Sequence, residues 1–260
     1  MADLDALRAR IDELDKALIA VVAERLEVCR EVAAVKEHSD TPVIQPARVR
    51  DVITSRRQRS IEAGIDPDFA EQLFRVLLTE THRIEVAGQR PDSAPEKEAA
   101  STSPSGLDTV ISRVDHVVVA VPDLDAARER LTRYFGFHEV PLADGALGGV
   151  TVVAAGGFTV VLISADASPA VALQVAAHGY GIQHIAVEVL NAAYARACLV
   201  QAGAEDLGEV VVDDEGHEQF YAGADAATMV PLAFISRVGH RVGLGGANVM
   251  AMVDAAARRR

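Results

Sequence analysis

Residues 4–37 read LDALRARIDELDKALIAVVAERLEVCREVAAVKE, and this stretch decides the fold of the first part of the chain. Its apolar residues recur on a heptad and form two columns on one helical face. The first column contains Leu4, Ile11, Leu18 and Val32, and the second contains Leu7, Leu14, Val21, Val28 and Val35. The spacing predicts a helix about 50 Å long, which exceeds the width of a small domain. Such a helix must bury its apolar face against a partner, and we expect a homodimer.

Arg25 occupies the position between Leu18 and Val32 in the first apolar column. A guanidinium keeps its proton, so its burial requires an anion. That anion is either a protein carboxylate, which would fix the register of the helix, or a bound acid. Lys36 follows about three turns later on nearly the same face, so both cations could close on one small ligand. Arg8 lies on another side, and in a homodimer it could enter the site of the partner chain.

The composition of the 260-residue chain limits the classes of protein to which it can belong. Half of its residues are hydrophobic, and its formal net charge is −13. This length predicts two modest domains, and no apolar run is long enough to span a membrane. The acidic charge argues against nucleic acid as a partner. Cys29 and Cys198 provide neither a disulfide nor a metal framework. The amino terminus lacks a signal-peptide pattern, so we expect a cytoplasmic protein.

A linker separates two dissimilar halves of the chain. Residues 88–106 read GQRPDSAPEKEAASTSPSG and lack large apolar side chains. We therefore place an all-helical domain at residues 1–88, the linker at 89–109 and a second domain at 110–260. Within the first domain, Pro46 starts a second helix that runs to about Ala63, and Asp66-Pro67 starts a third. The expected buried face of the third helix contains Phe69, Leu73, Val76, Leu77 and Ile84.

The segments LRARIDELDKALIAVVAERLEV, AAVK, PVIQPARV and GIDPDFAEQLFRVLL resemble the all-helical chorismate mutase family, over about residues 3 to 88. The resemblance implies three helices in an intertwined dimer. It implies that three arginines bind or orient the carboxylates of the substrate, that a lysine donates to its ether oxygen, and that a second donor assists. The matching positions are Arg8 from the partner chain, Arg25, Arg48, Lys36 and, where many members have Gln, Glu85.

The implied reaction is the rearrangement of chorismate to prephenate, in the biosynthesis of aromatic amino acids or specialised aromatic metabolites. This pericyclic reaction needs no cofactor, nucleophile or general base. The enzyme must hold a flexible dicarboxylate in its reactive conformer and stabilise charge on the breaking ether bond. Glu85 can donate to that oxygen only when it is protonated, so we expect the activity to fall as pH rises.

We expect Gln45, Val49 and Thr81 to bind the substrate. Two of these positions, Gln45 and Val49, depart from the usual family pattern. Val49 stands where typical members have an acid that contacts the C4 hydroxyl, and Gln45 stands where Asp is common. The segment PVIQPARV also resembles relatives that act on isochorismate, as pyruvate lyases, or on 4-amino-4-deoxychorismate, as mutases of antibiotic pathways. Chorismate is the first expectation because the family acts on it most broadly, and the other two substrates are alternatives.

The second half of the chain contains an internal repeat. DHVVVAVPDLDAARERL from Asp115 aligns with QHIAVEVLNAAYARACL from Gln183, and each copy reads strand, turn, helix. The duplication predicts an α+β domain of paired βαβββ modules. The further strands are expected at Val150–Ala154, Phe158–Ser164, Val210–Val212, Gln219–Tyr221 and Met229–Ser236.

His116 and His184 begin the two equivalent strands, where they are either metal ligands or core residues. The layout resembles the vicinal oxygen chelate superfamily of glyoxalases and extradiol dioxygenases. More narrowly, HGYGIQHIAVEV and PLAFISRVGHRVGLGGANVMAMVDA resemble 4-hydroxyphenylpyruvate dioxygenase, which implies ferrous iron held by both histidines and a glutamate. The glutamate position falls on Ala233, and two histidines alone make a weak iron site.

Two roles for the second domain stay open from the sequence. In the first, it has lost catalysis and binds or senses an aromatic pathway compound such as a 2-oxo acid, or packs against the mutase dimer. In the second, it is an active non-haem iron dioxygenase, in which Glu188, His217 or Glu218 replaces the missing ligand. We favour the first role because Ala233 has no donor atom.

Overall fold

The computed structural model describes residues 3–39, 44–86, 107, 110–142, 145–213, 216–224, 230–237 and 244–257. Contacts divide the chain into two compact units, one of residues 1–45 with 55–93 and one of residues 46–54 with 94–260. The domain boundaries expected from the sequence stay a prediction. The two units differ from them at Pro46–Thr54, which belongs to the second unit by its contacts. The expected linker at 89–109 lies outside the described residues, except for Leu107.

Three helices form the first part of the chain, as expected. Helix α1 spans Leu4–Glu37, α2 spans Pro46–Glu62 and α3 spans Pro67–Val86. Asp66 caps α3 by accepting the backbone N–H of Asp68 and of Phe69. Helices α1 and α3 run in the same direction, because residues later in α1 contact residues later in α3.

The apolar faces of α1 and α3 are largely exposed on the single chain. Both heptad columns of α1 are exposed, and so are Phe69, Leu73 and Val76 of α3, which we expected to be buried. That expectation is wrong for one chain, because α3 turns polar residues toward α1 instead. Its buried polar side chains are Thr79, Thr81, His82 and Glu85. This exposed apolar surface needs a cover, which the described residues of the single chain do not provide.

The second unit contains the paired modules that the repeat predicts. The first module consists of β1 (Ile111–Ala120), α4 (Leu124–Phe135), β2 (His138–Val140), β3 (Val150–Ala155) and β4 (Phe158–Ile163). After α5 (Pro169–His178), the second consists of β5 (Gly181–Val189), α6 (Ala192–Gln201), β6 (Val211–Val212), β7 (Glu218–Gly223) and β8 (Leu232–Ser236). The strand order is β2-β3-β4-β1-β5-β8-β7-β6. The equivalent strands β1 and β5 therefore lie side by side, antiparallel, at the centre.

The sheet buries both of its faces. One face packs against α4, and the other packs against α7 (Gly246–Ala257). We call the face against α7 the inner face. Val118 of β1, Ala186 of β5, and Ala233 and Ile235 of β8 lie on it, in contact with α7 side chains that include Met252 and Val253. Among the described helices, none is both long and apolar enough to cross a bilayer.

Candidate functional site

Arg25 contacts α3 through uncharged oxygen atoms. Its Nη1 donates to Thr81 Oγ1 at 2.9 Å and to the carbonyl of Leu77 at 3.4 Å. The Thr81 hydroxyl donates in turn to the same carbonyl at 2.8 Å, and Cys29 Sγ lies 3.5 Å from Thr81 Oγ1. Among the described residues, no carboxylate pairs with Arg25. This favours the alternative in which a bound acid supplies the negative charge.

Lys36 and Glu85 form a salt bridge further along the same two helices. Lys36 Nζ donates to Glu85 Oε2 at 2.9 Å, the Glu85 side chain is buried and the Lys36 side chain is largely buried. Thr81 and Glu85 are one turn apart on α3, so the Arg25 and Lys36 contacts line one strip of that helix. The structure thus brings together four of the residues that the sequence predicted.

His82 is a buried residue of this strip that the sequence analysis missed. Its Nδ1 lies 2.9 Å from the carbonyl of Leu78, which makes Nδ1 the protonated nitrogen. Burial lowers the pKa of His82; the Leu78 carbonyl and the Glu85 charge oppose this shift, and the Lys36 charge adds to it. The only sequence signal for His82 was its position three residues before Glu85, on a neighbouring part of the same helical face. The apolar periodicity that we used to read α3 does not include polar residues.

Within one chain Arg8 lies apart from this strip, and the other predicted residues of the mutase site stand just before α2 or in its first turn. Arg8 is exposed and pairs with Asp5 at 3.3 Å, and it lies 17 residues from Arg25, or about 26 Å along α1. Gln45 precedes α2 and makes no side-chain cap bond. Arg48 is exposed and Val49 is buried, and both belong to the segment grouped with the second unit. Their roles rest on the family resemblance alone.

His116 and His184, the two histidines that the repeat places at equivalent positions, are buried together on the inner face. His116 pairs with Ala186 and His184 pairs with Val118 in the register of β1 and β5, and the ring centroids are 6.1 Å apart. His116 Nδ1 lies 2.7 Å from Asp115 Oδ1. A carboxylate that accepts from a histidine ring orients that ring in many metal sites. The placement of His116 and His184 is therefore, by itself, compatible with a metal site.

Asp115 is the centre of a buried charged network. Arg237 donates to it twice, from Nε at 2.7 Å and from Nη2 at 2.8 Å, which joins the end of β8 to β1. Burial would raise the pKa of Asp115, but the hydrogen bonds from Arg237 and His116 outweigh it and hold the pKa well below its usual range. The carboxylate is therefore charged and fully engaged within the protein.

The donor set does not fit an iron site of two histidines and one carboxylate. Ala233, at the position of the third ligand, is buried in an apolar cluster with Ala186, Tyr221, Met252 and Ala256. The acids expected to compensate are engaged elsewhere, because Glu188 accepts from Arg113 Nε at 2.6 Å and Glu218 accepts from the backbone of Ala192 at 3.3 Å. Within the described residues, no three His, Cys, Asp or Glu side chains form a group that could hold a metal.

Comparisons with known proteins match two separate stretches of the chain. Residues 7–86 match the family model of chorismate mutase type II. Residues 115–222 match the glyoxalase/bleomycin resistance protein/dioxygenase superfamily. Among solved structures, methylmalonyl-CoA epimerase from Mycobacterium tuberculosis is similar at 20% identity and a TM-score of 0.41, over 55% of this chain and 95% of that chain.

Curated relatives match the helical part of the chain. The 4-amino-4-deoxychorismate mutase of Streptomyces pristinaespiralis is 36% identical over 102 residues, which are 38% of this chain and 79% of the relative. The T-protein of Enterobacter agglomerans is 38% identical over 85 residues, which are 33% of this chain and 23% of that protein. Because the chain covers 79% of the Streptomyces pristinaespiralis relative at 36% identity and residues 7–86 match the family model, the chain belongs to the chorismate mutase type II family.

Proposed function

We propose that this protein is an isomerase whose helical unit rearranges chorismate to prephenate. One observation carries the proposal: Arg25, without a carboxylate partner among the described residues, lies on the same strip of α1 and α3 as Lys36. Lys36 already pairs with Glu85, so the charge that still requires an anion is that of Arg25. A small dicarboxylate satisfies this requirement, and the family membership supports chorismate as that acid.

In this mechanism Arg25 binds one carboxylate of the substrate. One of its N–H donors is held by Thr81 Oγ1, which limits the rotation of the guanidinium and leaves its remaining donors for a carboxylate. Holding the substrate in its reactive conformer removes much of the entropic part of the barrier. The family resemblance implies that Arg48 also binds or orients the carboxylates of the substrate.

Lys36 and Glu85 act on the ether oxygen of the substrate. The C–O bond breaks as the new C–C bond forms, and negative charge builds on that oxygen in the transition state. An ammonium aimed at the oxygen stabilises the transition state more than the ground state. Glu85 adds a second hydrogen bond only when it carries a proton, because an ionised carboxylate is an acceptor only.

We further propose that the active protein is a homodimer through its N-terminal helices. Both heptad columns of α1 and the apolar residues of α3 are exposed on the single chain, and a second copy would bury them. Arg8 lies too far along α1 to reach Arg25 of its own chain. In an antiparallel or interlocked pair, Arg8 of one chain would complete the site of the other.

The second unit is proposed as a ligand-binding domain and not as an iron oxygenase. Its inner face retains the two histidines, but the third ligand position is a buried alanine. The residues present do not match the donor set that iron-dependent oxygenation requires.

The test compares chorismate, isochorismate and 4-amino-4-deoxychorismate on one preparation. We expect chorismate to give prephenate with a kcat/KM at least tenfold above that for the aminated compound. A preference for 4-amino-4-deoxychorismate would contradict the assigned substrate, and release of pyruvate from isochorismate would contradict the reaction. Arg25→Ala should lower kcat/KM by roughly 10²–10³-fold, whereas Arg30→Ala, at an exposed position of α1 that pairs with Glu27, should leave it unchanged.

A further inference from the structure

One ring nitrogen of His82 is an acceptor without a donor among the described residues. The side chain is 5% exposed, and its Nδ1–H donates to the carbonyl of Leu78 at 2.9 Å. The other nitrogen, Nε2, receives no hydrogen bond within the part of the chain that the structure describes. Because burial lowers the pKa of His82, the ring is neutral at pH 7 and Nε2 carries a lone pair. A buried acceptor of this kind requires a donor.

This acceptor lies beside the Lys36–Glu85 salt bridge. The charges of Lys36 and Glu85 both act on the pKa of His82, and such effects fall off with distance. His82 is three residues before Glu85 on α3, so the two side chains stand about 60° apart around the helix. It directly follows Thr81, which holds Arg25. The ring therefore flanks the strip on which the substrate is proposed to bind.

The polar groups of the strip are committed to one another. The Thr81 hydroxyl gives its one hydrogen to the carbonyl of Leu77 at 2.8 Å, and Lys36 Nζ donates to Glu85. The Glu85 carboxylate accepts in that contact and offers no hydrogen. The donor to His82 Nε2 therefore comes from a molecule that enters the site, which is solvent in the free protein and a ligand when one is bound.

The proposed substrate carries a donor at a matching place. Its C4 hydroxyl stands on the ring carbon next to the one that bears the ether oxygen. Lys36 and Glu85 are proposed to act on that oxygen, and His82 lies beside them, so the hydroxyl comes within reach of the imidazole. Val49, which we expect to bind the substrate, has no acceptor in its side chain.

We propose that His82 is a specificity-determining residue, whose Nε2 accepts a hydrogen bond from the C4 hydroxyl and so selects substrates that carry a donor at C4. The inference rests on the proposed mutase function. A site that is built to bond a hydroxyl rejects an analogue that lacks it, because the buried acceptor is then left without a partner.

The experiment measures kcat/KM of the full-length protein for chorismate and for an analogue that lacks the C4 hydroxyl. The wild type should prefer chorismate roughly tenfold, and His82→Leu should reduce the ratio of the two values to about one. An unchanged ratio in folded His82→Leu, with chorismate still turned over, would overturn this inference alone. Absence of turnover in the wild type would overturn the mutase function and this inference with it.

Two further substitutions separate recognition from a structural role of His82. Gln is long enough to place its amide oxygen near the position of Nε2, so His82→Gln should keep part of the preference for chorismate. Asn reaches only as far as Nδ1, so His82→Asn can retain the bond to Leu78 but should lose the preference. Equal ratios in these two variants would show that Nε2 is not the selecting group, and would overturn the proposal.

Thr79→Val is the matched control on the same helix. Thr79 is also buried and polar, and its hydroxyl donates to the carbonyl of Arg75 at 2.9 Å. This variant should keep the preference of the wild type for chorismate. A loss as large as that in His82→Leu, with circular dichroism showing both proteins folded, would mean that any disturbance of α3 changes the selectivity, and would overturn the assignment to His82.

Discussion

The Lys36 ammonium meets the Glu85 carboxylate at 2.9 Å where α1 and α3 lie side by side. In this arrangement Glu85 accepts a hydrogen bond, whereas its proposed catalytic role requires it to donate one. Only a side chain that carries an N–H or O–H at position 85 can supply the second donor to the ether oxygen.

Glu85→Gln should raise kcat/KM for chorismate, because its amide supplies an N–H donor where the carboxylate of the salt bridge only accepts. The measurement is kcat/KM of the two proteins under the same conditions, with circular dichroism to confirm that both are folded. An equal or lower kcat/KM in Glu85→Gln would show that a second donor at position 85 does not assist the reaction.

Arg25 should be required for catalysis and much less for folding. Arg25→Ala should lower kcat/KM by roughly 10²–10³-fold, the usual loss for one donor to developing or bound charge. Far-ultraviolet circular dichroism should stay unchanged. A loss of the same size in the surface variant Arg30→Ala would show that the effect is not specific to the site.

Thr81 should act by holding the Arg25 guanidinium. Thr81→Val keeps the shape of the side chain but loses the oxygen that accepts from Arg25, so it should raise KM several-fold. Thr81→Ser restores the oxygen and should recover most of the affinity. If Ser fails to rescue while the protein stays folded, the hydroxyl is not the group that matters.

His82 should make the helical unit less stable at acidic pH. Its pKa is lowered in the folded protein, mainly by burial, so the unfolded chain binds more protons below about pH 6.5. Stability therefore rises with pH through this window and falls as the pH decreases. The drop in Tm between pH 7.5 and pH 5.5 should be smaller in His82→Leu than in the wild type. An equal drop in the two proteins would show that His82 does not cause the loss of stability at acidic pH.

Removing only one member of the Asp115–Arg237 pair should lower the free energy of unfolding. Arg237→Met leaves a buried carboxylate without its main partner and should lower the free energy of unfolding by about 3–5 kcal/mol. Adding Asp115→Asn should recover part of this loss, because the uncompensated charge disappears. Additive losses in the double variant, measured by urea unfolding, would mean that the two residues are not coupled.

The homodimer should depend on the apolar columns of α1. Leu18→Glu places a charge in one column and should give a monomer in analytical ultracentrifugation, with loss of mutase activity because Arg8 of the partner is absent. Lys16→Glu changes the charge of the same helix away from the columns and should stay dimeric. A dimeric Leu18→Glu protein would show that another surface joins the chains.

Local patterns in the sequence predicted the elements well. Pro46 and Asp66-Pro67 marked the starts of α2 and α3 because caps and prolines act within one turn. The alignment of Asp115 with Gln183 predicted the paired modules, since a repeat must bury equivalent faces in equivalent ways. The burial of α3 was predicted wrongly, because the pattern of Phe69, Leu73 and Val76 shows that a face is apolar but not what covers it.

The sequence by itself determined the helices, the strands, their duplication and the family to which the helical part belongs, because periodicity and capping depend on residues a few positions apart. Only the tertiary structure decided that Arg25 meets Thr81, 56 residues away, that Lys36 meets Glu85, and that His82 is buried beside them. It also placed Tyr221 opposite Ala233. Such partners depend on how whole elements pack and on strand register, and no local pattern in the chain encodes either one.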